Sequence, residues 1–206
     1  VGSAAALTLA LRQRGKQTRT VIGQRRDISA NLFSIPTVDE IELVDELPTG
    51  YDLYVTLDCG SLDRTGSVAD SIAELAAAGR VLCIDHHSSN EGFGSINVVD
   101  PVCESTTVVL LDILDRISVQ IDRVIAHCLY AGLVTDTGNF RWGRPAMHDI
   151  AARLMLYGLD TKNIALELMD SNTADDLQMI GRVLSGLTIQ EAGEHRLAVL
   201  FVPYEE

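Results

Sequence analysis

Five side chains have types and spacing that could do chemistry: Asp58, Asp85, His86, His87 and Asp136. Asp58 closes the apolar run of "YDLYVTLDCGS", Asp85-His86-His87 closes "RVLCIDHH", and Asp136 ends "DRVIAHCLYAGLVTD". Carboxylates mixed with neutral imidazoles suit divalent cations such as Mn²⁺. One carboxylate can bridge two ions about 3.5–4 Å apart, and such a pair lowers the pKa of a bound water and clamps a phosphoryl group for in-line attack. Asp58 is the natural bridge, with His86 and Asp136 as further metal ligands. Consecutive side chains at a strand end point to opposite sides, so Asp85, His86 and His87 should not share one task. Asp85 is expected to orient a ligand from behind. His87 is expected to face a substrate phosphate as hydrogen-bond donor or general acid.

Positioning these residues takes strands that end together. "KQTRTVIG" (16–23), Tyr51–Ser61, "RVLCIDHH" and "SINVVDP" (95–101) read as strands. "VGSAAALTLALRQRG", Val68–Gly79, "ESTTVVLLDILDRI" and the segment ending at Asp136 read as helices. Apolar strands alternating with helices specify an α/β fold with a parallel sheet covered on both faces. In such sheets ligands bind at the carboxyl ends of the strands, which is where Asp58 and Asp85-His86-His87 fall. Beyond Gly143 two more helices follow, then "ADDLQMIGRVLSGLTIQ" as one long helix and His195–Tyr204 as a strand. Asp170–Asp175 reads as a linker, which divides the chain into a domain at 1–170 and the start of a second at 171–206.

A net charge of −13 argues against a broad basic grip on nucleic acid. An acidic protein can still accept phosphates where cations supply positive charge locally. No apolar run approaches the ~20 residues of a membrane helix, and no signal segment opens the chain, so no membrane association and a cytoplasmic location are expected. Cys59, Cys83, Cys103 and Cys128 show no CxxC spacing and read as reduced, mostly buried thiols.

"VTLDCGSLDRTG", "CIDHHSSNEGFGSINVVDP" and "AGLVTDTGNFRW", in this order, resemble motifs II, III and IV of the DHH phosphoesterase superfamily. "STTVVLLDILD" and "AHCLYAGLVTDTGNFRW" are similar to its bacterial oligoribonuclease and PAP phosphatase (nano-RNase) branch. The resemblance runs from Val1 to about Met179 and implies a five-stranded parallel sheet and two Mn²⁺ ions, or Mg²⁺ or another divalent cation. Asp58 would bridge the ions, His86 would bind one and Asp136 the other. It further implies a homodimer and, after the DHH domain, a DHH-associated α/β domain with a Gly-rich nucleotide clamp. The implied substrates are short oligoribonucleotides, 3′-phosphoadenosine 5′-phosphate and, in some members, cyclic or linear dinucleotides. Motif I of the family, a His and an Asp-x-Asp pair leading to Gly-Ser, is matched only by Val1-Gly2-Ser3. The expectation is a chain that lacks the first strand, three metal ligands and the second domain's Gly-rich motif. The parent protein would be an active hydrolase, and this piece an impaired one.

Two other functions stay open on the sequence: an inorganic pyrophosphatase of the same superfamily, and a catalytically silent nucleotide-binding module. Ser105, Thr106 and Thr107 fit either helix capping or anion binding. Trp142, between Arg141 and Arg144, fits either base stacking or packing at a domain interface. Asp63-Arg64 fits a substrate contact or a local ion pair. His127 reads as a packed helix residue, and His148 and His195 carry no assigned role.

Overall fold

The computed structural model describes residues 1–202. The chain divides into two compact units, Val1–Met169 and Asp170–Glu206. The first unit runs α1 (Gly2–Gln13), β1 (Val21–Ile22), β2 (Glu42–Leu43), β3 (Tyr54–Leu57), α2 (Ala69–Ala77), β4 (Val81–Asp85) and β5 (Ile96–Val99). It continues with α3 (Thr106–Arg116), α4 (Arg123–Asp136), α5 (Ala146–Met155) and α6 (Thr161–Met169). The second unit holds α7 (Ala174–Ser185) and the antiparallel pair β6 (Thr188–Ala192) and β7 (His195–Val199).

The fold is α/β with parallel strands and flanking helices. Its five parallel strands fall into two sheets, where the sequence leads one to expect a single sheet. β1 pairs with β2 at Val21↔Glu42 and Ile22↔Leu43. β3 pairs with β4, and β4 with β5, so that β4 is central. The segment 16–23 yields a strand of only two residues, and β3 leaves its β1-side edge unpaired. A cleft of about 380 Å³ lined by residues of both β1 and β3 interrupts what would otherwise be one sheet. Thr56 lines it and buries a hydroxyl with no hydrogen-bond partner among the described residues.

The core sits around α4, whose Ile125, Leu129, Leu133 and Val134 are at most 1% exposed. Small residues let the other helices come close: a Cβ at Gly2 of α1 would stand 2.6 Å from the carbonyl oxygen of Cys128. A Cβ at Gly132 would stand 2.4 Å from the Thr107 methyl of α3. This packing holds the C-terminal end of α4 and the N-terminal end of α3 against the ends of the strands. His127 is packed in α4 as expected, its Nε2 buried without a partner among the described residues. Burial lowers its pKa.

In the second unit the helix expected to run to Gln190 stops at Ser185. Thr173 and Asp176 form a capping box at its start, inside the stretch read as linker. Thr188–Ala192 is instead the first strand of a hairpin closed by Gly193 at φ 63°. The apolar spacing of Leu177, Ile180, Leu184 and Leu187 continues through Gly186, which conceals the break in the sequence. The expected strand over His195–Tyr204 spans His195–Val199, and Pro203 and Tyr204 lie outside the described residues. All four cysteines are free, and among the described residues no helix is long and apolar enough to cross a membrane.

Candidate metal centre

All five residues singled out by the sequence lie on one rim, at the carboxyl ends of β3 and β4 and the C-terminal end of α4. β3 ends at Leu57, and the Asp58 N–H still donates to Ile84 O across the sheet (3.1 Å). There the backbone turns left-handed, at φ 63°, a conformation that non-glycine residues adopt at a cost. The Asp58 carboxylate accepts a hydrogen bond of 2.7 Å from Thr106 Oγ1 in the first turn of α3.

Around Asp58 Oδ1 stand two imidazoles. His86 Nε2 is 3.7 Å away and His87 Nδ1 is 3.9 Å away. His86 Nε2 also lies 3.8 Å from Asp136 Oδ2. His86 Nδ1 is 3.3 Å from the Cys103 carbonyl oxygen; a carbonyl only accepts, so Nδ1 carries a proton, and in the neutral ring Nε2 is the nitrogen with the lone pair. One potential ligand atom from each of Asp58, His86 and His87 fits within a sphere of mutual distances no larger than 4.8 Å. Beside Asp58 and Asp136 opens a cavity of about 150 Å³, lined also by Gly2, Ser3 and Thr106. Two acids and the Nε2 of His86, within 3.8 Å of a carboxylate oxygen of each, fit a divalent cation.

The strand-alternation argument separates His86 from His87 too far. Their ring centroids are 4.6 Å apart, edge to face, because β4 ends at Asp85 and both histidines follow it on free backbone. Asp85 is different. It is fully buried, and its carboxylate accepts from the His86 N–H (2.8 Å), from His87 Nδ1 (2.7 Å) and from Asn90 Nδ2 (2.8 Å). Burial alone would raise its pKa, but the hydrogen bonds from His87, Asn90 and the His86 N–H outweigh it and hold the carboxyl below its usual range. The same Asp85 bond raises the His87 pKa against burial. It also places a proton on His87 Nδ1.

Asp136 is pushed the other way, up to about 6, by burial first and then by the negative charge of Asp58. Cys59, next to Asp58 in the chain, is also pushed up, to about 11, by burial and by Asp58 and Asp85. The like charge of Asp58 makes an ionised Asp136 costly unless positive charge compensates it.

Three contributors were not singled out as site residues by the sequence. Asn90 clamps Asp85 and also donates to Cys59 O (3.0 Å); its only signal was its place in "DHHSSN". Thr106 is not the cap: Ser105 caps α3 through Val108 N–H, while Thr106 Oγ1 donates to Asp58. The Cys103 carbonyl is backbone, which no residue type announces. Arg144 is bound to Glu104 through Nε and Nη2, at 2.9 and 3.1 Å, and so braces the loop after α4.

The profile of the DHH family, N-terminal domain, matches residues 1–133, the stretch that carries Asp58 and Asp85-His86-His87. The chain belongs to the DHH family. The similarity of this DHH chain extends past Asp136. It is 30% identical over 196 residues, 94% of its length, to the "Bifunctional oligoribonuclease and PAP phosphatase NrnA" of Thermus thermophilus, of which it covers 56%. Among solved structures, an exopolyphosphatase-related protein from Bacteroides fragilis superposes with a TM-score of 0.83 at 26% identity. That match covers 92% of this chain and 58% of the other. The chain thus spans little more than half the length of these relatives.

Proposed function

We propose that this DHH chain is the catalytic part of a metal-dependent phosphoesterase that hydrolyses short oligoribonucleotides and 3′-phosphoadenosine 5′-phosphate. The observation that carries the reading is Asp58 Oδ1, less than 4 Å from both imidazoles of the rim, with Asp136 Oδ2 3.8 Å from the same His86 Nε2. The substrate class follows the Thermus relative, which bears both activities in its name. Asp58, His86 and Asp136 would hold two Mn²⁺ ions, or Mg²⁺ in their place. Bound there, the ions would lower the pKa of a water and neutralise phosphate charge, which a chain of net charge −13 otherwise repels. His87, with one proton held on Nδ1 by Asp85 and its pKa raised by that bond, would in its doubly protonated form donate from Nε2 to a phosphate oxygen or to the leaving group. Asp85, fully buried, acts through His87 rather than on substrate.

We also propose that the cleft between β1 and β3 seats one more parallel strand, from chain ahead of Val1. Supporting it are the unpaired facing edges of two parallel sheets and the unpartnered Thr56 hydroxyl. α1 begins at Gly2, and Val1 lines both the cleft and the cavity beside Asp58. The completed order, β2-β1-new-β3-β4-β5, would put the rim where a doubly wound sheet reverses direction, the usual ligand site.

The test compares this chain with a longer one that adds the upstream segment. Each receives Mn²⁺ and a labelled diribonucleotide, 3′-phosphoadenosine 5′-phosphate, or inorganic polyphosphate. Mononucleotide or phosphate release from the first two, abolished by Asp58→Ala or His86→Ala, is expected of the longer chain. Cleavage of polyphosphate alone would favour a second reading, for which the name of the Bacteroides relative speaks. Inertness towards all three with Mn²⁺ bound would indicate a silent nucleotide-binding module.

A further inference from the structure

Immediately after Asp136 the backbone does something costly. Gly138, Asn139 and Phe140 are all left-handed, at φ 54°, 59° and 65°. Single left-handed residues are common and consecutive ones are not, because a Cβ crowds the following carbonyl. Something must hold this turn, and the side chains that do so can be named. Thr137, fully buried, donates from Oγ1 to Leu133 O (2.6 Å) and accepts from the Phe140 N–H (3.1 Å). Phe140 packs on the core and lies 6.0 Å from the Tyr130 ring.

The third is Trp142. Its Nε1–H donates to the backbone carbonyl of Asp136 at 2.7 Å, a helix-terminal carbonyl of the kind that lacks a partner within its own helix. The six-membered ring lies on Gly138 so closely that a Cβ there would stand 2.2 Å from Trp142 Cη2. The rest of the indole is open, with the residue 58% exposed. An exposed aromatic adds little to the core, so its geometry is better explained by what it fastens. Of the two readings its sequence neighbourhood allowed, base platform or interface packing, neither uses this hydrogen bond.

We propose that Trp142 is a positioning residue: its indole N–H latches the Asp136 carbonyl and, with Gly138 beneath the ring, fixes the left-handed turn that aims the Asp136 carboxylate at His86. The proposal rests on the reading of Asp136 as one of the acids that hold the metal. It acts through Asp136 and needs no contact between the indole and substrate. Glycine at 138 is required twice, for the positive φ and for the space that the ring occupies.

Trp142→Phe keeps an aromatic ring and removes only the donor; Gly138→Ala keeps the donor and displaces the ring. Two measurements separate the latch from the metal reading. Amide exchange in metal-free protein should rise at residues 139–142 in both variants and stay unchanged in β3 and β4. Free Mn²⁺ counted by electron paramagnetic resonance should show affinity reduced about tenfold, the lower end of the effect of losing a group that orients a metal ligand. Trp142 is the chain's one tryptophan, so paramagnetic quenching of its fluorescence reports Mn²⁺ arrival in the unsubstituted protein. Unchanged exchange at 139–142 overturns the latch, whether or not Mn²⁺ binds. A lower melting temperature with Mn²⁺ affinity intact also overturns it, since that is what a merely structural tryptophan gives. If the unsubstituted protein, extended upstream, shows neither binding nor quenching, the metal reading fails, and with it the role assigned to the latch.

Discussion

Asp85 and Asp136 are acids at the ends of two elements that reach the same rim, and their surroundings drive them in opposite directions. Asp85 has no solvent exposure, yet it is held below the ordinary carboxylate range. Asp136 keeps 31% of its side chain exposed, yet it is pushed up to about 6. Burial disfavours the charge in both cases. The difference lies in donors: Asp85 receives the His86 N–H, His87 Nδ1 and Asn90 Nδ2, whereas Asp136 faces the like charge of Asp58. An acid already satisfied by protein donors suits the work of orienting a neighbour. An acid left short of positive charge is suited to receive it from outside the chain.

The largest effect expected from breaking this contrast is at the satisfied acid. Asp85→Asn replaces one oxygen by an amide that cannot accept from His87, Asn90 and the His86 N–H together. Leaving buried donors unpaired costs about 1–3 kcal/mol. His87 would also lose the partner that fixes its tautomer, so turnover of the longer chain should fall by about 10–100-fold, the scale seen when an orienting partner of a metal-site histidine is removed. Calorimetric melting and turnover in Mn²⁺ measure the two losses separately. Stability and rate both like the unsubstituted protein would show that Asp85 orients nothing.

On the α4 side, the brace of the following loop can be loosened by pH. Burial opposes ionisation of Glu104, whose side chain is 4% exposed, but the Arg144 side chain and N–H outweigh it and lower the pKa. A carboxylate with a folded pKa below its unfolded value adds stability above the unfolded pKa, and loses it as pH falls through the folded one. Glu104→Gln should therefore melt lower at pH 7, by the ~1.5–3 kcal/mol typical of a hydrogen bond to a charged group. The gap should close as pH falls below the ordinary carboxylate range. A gap independent of pH would mean that the contact works by packing and not by charge.

How much of this was legible beforehand differs between the two sides in the same way. The β4 side announced itself, since apolar strands ending in Asp58 and in Asp85-His86-His87 must present those residues at a sheet's carboxyl edge. What strand alternation misjudged was His86 against His87, because β4 stops at Asp85 and alternation stops with it. Asp136 was readable as a helix end, but the left-handed turn behind it was not: Asn139 and Phe140 are ordinary residues, and only their tertiary partners keep them at positive φ. The break between β1 and β3 does not show in the apolar patterns of the strands, since pairing is a property of neighbours; only the family resemblance, with its first strand unmatched, pointed to a gap. The hairpin of the second unit was hidden by apolar spacing that runs on through Gly186.

The smallest expected effect tests whether the two sides communicate through Asp58. Thr106 Oγ1 donates to Asp58 Oδ1 at 2.7 Å, the same oxygen that faces both histidines. Thr106→Val keeps the shape and removes the donor. Asp58 is 34% exposed, so water can replace the lost partner, and stability should fall by no more than the ~0.5–1.5 kcal/mol of an ordinary hydrogen bond. The informative quantity is Mn²⁺ affinity by titration calorimetry. A carboxylate freed from α3 samples more rotamers and must be ordered again by the ion, so binding should weaken by a few fold and the loss should be entropic. Affinity that instead improves would mean that Thr106 competes with the ion for Asp58 Oδ1, and that the hydrogen bond must break before the metal can bind.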